Sequence, residues 1–339
     1  MIRFSELSGD KPRPPVEPGA ARSGESGRAI RPENEDAVKD LYRQACDLVA
    51  ASFEELGKGQ RFDLPRIERL AVALGEELGA DDRAGLRLVA EGYDPHRYLA
   101  PHSANVFLLA VRLAAALDVP PEVLGQVGAG SLLHDVGMLW VPREVWDKPG
   151  RLSPSEVRVM QTHPERGREA VLEAVEAPGP QRLQIQLLET MVLQEHEQPD
   201  GGGYPHGLSD INTFASLVRV ADFLEAYTHP RAYRAEGLAL TEALRVLAES
   251  AGRQFDSAMV RLALAELTVY PVGCVVELST GEVAEVVAIN KEYLLRPVVL
   301  VVEDAQRRAL KAPRLVDLAE RPGLYIRGVS AVERAPASG

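Results

Sequence analysis

The chain has 339 residues, with 38 Lys plus Arg against 50 Asp plus Glu and a formal charge of −12. With 45% apolar and 26% charged residues it can bury a core of one or two domains, but it lacks the basic footprint that duplex nucleic acid or an anionic membrane demands. Two cysteines, Cys46 and Cys274, exclude a disulfide framework or zinc ribbon. The longest apolar run, Val106 to Val111, is too short to span a bilayer, and Met1–Asp10 lacks a signal-peptide apolar core, so a cytoplasmic protein is expected.

Ser8 to Pro32 holds five prolines, four glycines and three serines, a composition that predicts a disordered tail over residues 1–32. From Glu33 the pattern turns helical. Val38, Leu41, Tyr42, Ala45 and Val49 follow helical spacing, and a second helix fits Leu64 to Leu78 with Asp63 as cap and Pro65 in the first turn. This amphipathic segment, residues 33–92, is expected to pack on the helices C-terminal to it or to form a dimerising hairpin.

Helices are predicted to continue from Pro101 to about Leu267. Val106, Leu109, Ala110, Leu113 and Leu117 mark the buried face of the first, and His102 points the same way. Ser153-Pro154-Ser155-Glu156 is a capping box with proline at the first helical position. After Tyr270 the period changes: Cys274–Leu278, Val283–Ile289 and Val298–Val302 are β-branched runs, and Ser279-Thr280-Gly281 reads as a hairpin turn. Leu315–Leu318 and Leu324–Ile326 are candidate edge strands of this β subdomain.

Of seven histidines, His102, His134, His163 and His196 accompany features of a metal site. Asp135 follows His134 directly. Asp222 shares a helical stripe with Ala215, Val218 and Ala226, where a carboxylate is costly to bury unless something such as a cation compensates it. Each signal is weak alone. Their order and the loop Glu195-His196-Glu197-Gln198-Pro199-Asp200-Gly201-Gly202-Gly203-Tyr204-Pro205 make them informative.

Over about residues 36–310 the chain resembles the HD-GYP domains, a branch of the HD phosphohydrolase superfamily. The resemblance rests on His134-Asp135-Val136-Gly137, His163-Pro164 followed by Gly167, Asp200-Gly-Gly-Gly-Tyr204-Pro205, Gly207-Leu208, Val220-Ala221-Asp222, Arg231-Ala232-Tyr233-Arg234 and Tyr270-Pro271-Val272-Gly273. It implies a mainly α fold: an HD-type helical bundle over 93–267, preceded by the short helical segment and followed by a small β subdomain (268–328) and a flexible tail (329–339).

The resemblance further implies hydrolysis of a cyclic dinucleotide, chiefly cyclic di-GMP, to the linear dinucleotide or GMP. Carried over by position, the metal ligands are His102, His134, Asp135, His163, His196 and Asp222, with Asp135 bridging two metals and His134 and Asp135 central to catalysis. Such donors suit iron, manganese or zinc, and iron or manganese is the family's common choice. Arg231 and Arg234 fall where substrate phosphate is held, a role for which arginine's forked donors are suited. Tyr204 is expected to stack on or shape the ligand.

Three positions depart from the family pattern. Met138 stands where a lysine is usual. Glu195 replaces the first histidine before the glycine loop; a glutamate there can ligate, as a hard oxygen donor favouring manganese or magnesium. Tyr98 stands where three-metal members carry a glutamate, which favours two metals. His96, His206 and His229 are expected to face solvent or lie in loops, and Glu197 and Asp200 to support the loop. Three functions compete: a two-metal cyclic dinucleotide phosphodiesterase, a signalling module that binds a cyclic dinucleotide or docks a protein partner through its Gly-Tyr-Pro loop without turnover, and another nucleotide phosphohydrolase of the superfamily.

Overall fold

The structure, a computed structural model, describes residues 32–78, 89, 99–174, 181–231, 234, 237, 240–267, 270, 274–288, 290, 293 and 295–329. The expected tails, His96 and Tyr98 therefore lie outside the described residues, apart from Pro32, which opens a helix, and Val329, which ends a strand. The fold is mainly α with a five-stranded antiparallel sheet at its C-terminal end. It divides into two units, one comprising Met1–Ala239 and Ser250–Met259, the other Leu240–Glu249 and Val260–Gly339.

The first unit is built on α1 (Pro32–Gly57), α2 (Leu64–Leu78), α3 (Leu99–Ala115) and α4 (Pro121–Leu133). Asp63 Oδ1 accepts the Arg66 amide at 3.0 Å and caps α2 as its sequence predicts. The apolar stripes of α1 (Val38, Ala45, Val49) and α2 (Ile67, Leu70, Leu74) are buried, with α1 packed on α2 and α3, and α2 on α3 and α4. Much of the amphipathicity that suggests a dimerising hairpin is thus used inside the unit. Helix α3 is buried almost all round, from His102 to Val111, a wider face than the predicted stripe. Leu117 lies beyond its end.

A 3₁₀ turn (Val136–Trp140) follows α4, then α5 (Arg143–Trp146), α6 (Pro154–Met160), α7 (His163–Ala174), α8 (Gln181–Gln194) and α9 (Thr213–Thr228). The predicted capping box opens α6: Ser153 Oγ accepts the Glu156 amide and Glu156 accepts the Ser153 amide. The 3₁₀ turn packs tightly on α7. A Cβ on Gly137 would stand 1.8 Å from the His163 carbonyl oxygen, so only glycine allows the His-Asp turn to meet that helix.

The second unit contains α10 (Leu240–Glu249), the greater part of α11 (Ser257–Glu266), and strands β1 (Val275–Leu278), β2 (Val283–Ala288), β3 (Val298–Glu303), β4 (Ala309–Asp317) and β5 (Ile326–Val329) in the order β4-β3-β2-β1-β5. The β1–β2 hairpin turns where Ser279-Thr280-Gly281 predicts, with Gly281 at φ +83°. Val276, Leu278, Ala284, Val286, Val299 and Val301 alternate into the sheet core. The sheet edges are β4 and β5: the expected Leu315–Leu318 falls at the end of β4, whereas Leu324–Ile326 meets β5 only at Ile326.

Candidate metal centre

Helix ends deliver most of the site. His134 stands at the C-terminal end of α4, Asp135 precedes the 3₁₀ turn, His163 opens α7, and Glu195 and His196 follow α8; His102 and Asp222 come from α3 and α9. All seven expected ligands converge, from segments up to 120 residues apart in the chain (222 minus 102).

The imidazoles are oriented from behind. His134 Nδ1 donates to the Ser131 carbonyl at 2.8 Å, and His163 Nδ1 to the Met160 carbonyl at 2.8 Å. A carbonyl only accepts, so each of these rings carries its proton on Nδ1 and turns the Nε2 lone pair inward. His102 Nδ1 donates to Glu225 Oε2 at 2.5 Å; burial opposes charging this ring, but Glu225 outweighs it and, with Asp135 and Asp222, raises the His102 pKa well above its usual range. The inward nitrogens meet in pairs: His102 Nε2 to His134 Nε2 at 3.2 Å, and His163 Nε2 to His196 Nε2 at 3.1 Å.

Asp135 stands between the pairs. Its Oδ2 lies 3.4 Å from His102 Nε2 and 3.7 Å from His134 Nε2, while Oδ1 lies 3.4 Å from His163 Nε2. Asp222 Oδ1 joins the first pair, at 3.3 Å from His102 and 4.0 Å from His134. Glu195 Oε1 joins the second, at 3.5 Å from His163 and 3.6 Å from His196. Glu195 is 0% exposed, and neither of its carboxylate oxygens has a hydrogen-bond partner.

This arrangement fits divalent metal. The paired inward nitrogens stand 3.1 and 3.2 Å apart, and donors roughly 2.1 Å from one cation are held roughly 3 Å apart. A buried carboxylate without a donor is costly, and a cation is what would offset it. Charges within the site shift its titratable groups in different directions. Burial opposes ionising Asp135, but His134, His102 and His163 outweigh it and hold the carboxyl well below its usual range. Burial likewise opposes ionising Asp222, which its histidines, His102 foremost, nevertheless hold low. Burial, then His163, pushes His196 down to about 3, so it is neutral and able to donate a lone pair. Glu195 goes the other way, raised well above its usual range by burial and by Asp135 and Asp222.

Tyr204 stacks on His196, with ring centroids 4.7 Å apart and planes at 18°, and meets His163 edge-on. It shapes the site by fixing an imidazole. The loop bearing it is tied down by Glu197, whose carboxylate accepts the His206 and Leu208 amides, both at 2.8 Å. A Cβ on Gly203 would stand 2.5 Å from Glu197 Cα and the His196 carbonyl oxygen, which fixes glycine there. Asp200 Oδ1 accepts the Gly202 amide at 2.9 Å, so Glu197 and Asp200 both support the loop.

Other expectations meet a different arrangement. Arg231 is buried, and its Nη2 donates to Glu225 Oε2 at 2.8 Å. Arg234 Nη2 donates to the carbonyls of Ala226, Tyr227 and His229, satisfying the C-terminal end of α9. Both guanidinium groups are engaged within the protein. His229 lies in the bend after α9, one of its two expected settings, but is buried at 2% exposure, its Nδ1 3.0 Å from the Glu225 carbonyl oxygen. Met138 is 3% exposed in an apolar cluster with Val141, Val145, Leu99 and Met160. The residue that sequence reading passed over is Glu225, which Asn105 Nδ2 also contacts at 3.1 Å; its signal was its place one turn after Asp222 on an apolar helix face.

Residues 94–259 match the HD domain family, and residues 275–336 match the KOW domain associated with HD domains. The matched HD region is similar to several curated phosphodiesterases. Among its relatives is a cyclic di-GMP phosphodiesterase of Pseudomonas aeruginosa, 30% identical over 281 residues, which are 82% of this chain and 65% of that protein. The cyclic di-GMP phosphodiesterase response regulator of Xanthomonas campestris is 35% identical over 146 residues, 42% of this chain and 37% of that one. The chain thus spans less than two thirds of either relative. A solved HDG"Y"P protein from Bdellovibrio bacteriovorus shares the fold, with a TM-score of 0.54 at 18% identity over 70% of this chain and 72% of that one. Among the described residues no helix is long and apolar enough to cross a membrane.

Proposed function

We propose that the HD-GYP domain is a metal-dependent phosphodiesterase that hydrolyses a cyclic dinucleotide, cyclic di-GMP first, to the linear dinucleotide or GMP. The observation that carries this reading is Asp135, whose two oxygens face two separate imidazole pairs, each completed by one more carboxylate. Relatives named cyclic di-GMP and cyclic GMP-AMP phosphodiesterases support the substrate class.

His102, His134 and Asp222 would hold one ion, and His163, His196 and Glu195 a second, with Asp135 shared. Mixed imidazole and carboxylate donors suit iron or manganese, and Glu195 leans the second position toward manganese. Two bound ions would supply an activated water at neutral pH and neutralise the phosphodiester charge. The protein's own part is positional. Ser131, Met160 and Glu225 hold three imidazoles in the ligating tautomer, Tyr204 fixes the fourth, and Gly137 and Gly203 permit the backbone approaches that bring them together. No side-chain nucleophile is needed. A cytoplasmic setting accords with a sequence that holds only two cysteines, Cys46 and Cys274, far apart in the chain.

The test is a product assay. The chain is purified without oxygen, loaded with iron or manganese, given cyclic di-GMP or cyclic GMP-AMP, and the nucleotides are separated. Linear product that a chelator abolishes, and that Asp135→Ala fails to make while losing metal, is the expected result; turnover by Asp135→Ala would sink the reading. A second reading, a module that binds metal and cyclic dinucleotide or a protein partner at the Gly-Tyr-Pro loop without turnover, is favoured by Met138 standing where a cation is usual. Metal-dependent binding with intact substrate would select it. A homodimer belongs to either reading, and light scattering of the full chain tests it.

A further inference from the structure

The candidate centre is rich in carboxyl groups, with Asp135, Glu195 and Glu225 buried around it and Asp222 half-buried. A phosphodiester brought there needs a cationic side chain as well as metal. Met138 supplies none, Arg231 is committed to Glu225, and Arg234 to the carbonyls at the end of α9.

Among the described residues, Arg219 is a further cation beside the ligand set. It lies three residues before Asp222 on α9, so the two share a helix face. Its Nε donates to the Gln254 carbonyl at 3.0 Å and its Nη1 to the Glu195 carbonyl at 3.4 Å. Its guanidinium lies over the Phe255 ring, 4.9 Å from the centroid. These contacts fix the plane of the fork at the base of the Gly-Tyr-Pro loop, within the fields of Asp222, Tyr204, Glu195 and Asp200. The side chain is half-buried, and these anchors use Nε and Nη1, not Nη2.

Resting on the phosphodiester reading, we infer that Arg219 is the residue that contacts substrate phosphate at this centre, through the Nη edge its anchors leave open. Arginine suits the place because a pre-oriented fork meets two phosphate oxygens with little further ordering. Its anchoring at Nε and over Phe255 is what distinguishes it from a surface arginine.

The experiment uses the full chain loaded with manganese, with inorganic phosphate as binding probe and cyclic di-GMP as substrate, on wild type, Arg219→Gln and Arg219→Lys. Metal content is measured on all three. The expected result is phosphate binding weakened about 10- to 100-fold in Arg219→Gln and partly restored in Arg219→Lys, with metal content unchanged. With substrate, the loss falls on KM more than kcat, and KM loses part of its salt dependence. Phosphate binding equal in wild type and Arg219→Gln overturns the inference, as does absence of phosphate binding in wild type. Equal loss in both variants accompanied by loss of metal also overturns it, because that is the signature of a structural clamp. Arg219-dependent phosphate binding in a chain that leaves cyclic di-GMP intact keeps the inference and rejects the phosphodiesterase reading. Hydrolysis with unchanged KM in Arg219→Gln does the reverse.

Discussion

Glu225 holds His102 from behind, with Oε2 2.5 Å from the imidazole Nδ1. The same carboxylate accepts from Arg231 at 2.8 Å and from Asn105 at 3.1 Å, and Asn105 Oδ1 in turn accepts from the Tyr42 hydroxyl of α1 at 2.7 Å. A chain of hydrogen bonds therefore runs from the first helix to a metal-facing imidazole. Burial opposes ionising Glu225, but His102 and Arg231 bring its pKa down to about 2. Glu225→Gln keeps the shape and removes the charge. It is expected to weaken metal binding by about 10- to 100-fold, read by competition with a chelating dye. Tyr42→Phe is expected to cost about 0.5–1.5 kcal/mol of stability with metal affinity little changed.

Glu195 sets stability against binding. Its buried carboxylate has no hydrogen-bond partner, so the metal-free chain carries an uncompensated polar group. Glu195→Met, an apolar side chain of similar length, is expected to raise the stability of the metal-free protein by about 1–3 kcal/mol and to lower its affinity for manganese. Urea unfolding with chelator and with saturating manganese separates the two effects. Glu195→His is expected to shift preference from manganese toward zinc.

Met138 is an apolar contact as much as a missing charge. Its surroundings are Val141, Val145, Leu99 and Met160. Met138→Lys drives an ammonium into that cluster and is expected to lower stability by roughly 1–3 kcal/mol. Restoring a lysine by itself is therefore not expected to raise hydrolysis. A higher kcat for this variant at unchanged melting temperature would contradict the packing argument.

The α6 capping box predicts a pH effect. The Lys148 ammonium, then the Ser153 backbone amide and hydroxyl, hold the Glu156 carboxyl at about 2 against an ordinary 4.5. The folded-state pKa is depressed, so the contribution is present above pH 4.5 and is lost as pH falls toward 2. The difference in urea midpoint between wild type and Glu156→Gln is expected to be present well above the ordinary carboxylate range and to vanish as pH approaches 2. A difference that persists in acid would show that the ionised capping box is not its source.

Local chemistry is legible wherever neighbouring residues decide the conformation. The Asp63 cap, the Ser153 capping box and the Ser279–Gly281 turn all depend on groups within a few residues of one another. The alternation of β1 to β3 is legible for the same reason. The buried face of α3 is wider than its periodicity suggests, because periodicity reports one face and cannot count how many neighbours cover the others.

Side-chain type and short-range spacing were enough to set out the elements, the order of the ligand-bearing motifs and the groups able to bind a cation. What those groups do to one another emerged from long-range packing. Packing set Asp135 between two imidazole pairs, turned Arg231 and Arg234 toward Glu225 and the end of α9, and buried Met138 and His229. It left Arg219 facing the loop that holds Tyr204. Distance along the chain is the physical cause for the ligands, which meet from segments up to 120 residues apart (222 minus 102); Arg231 and Arg234 find partners five to eight residues back, at a helix end whose turn no periodicity encodes.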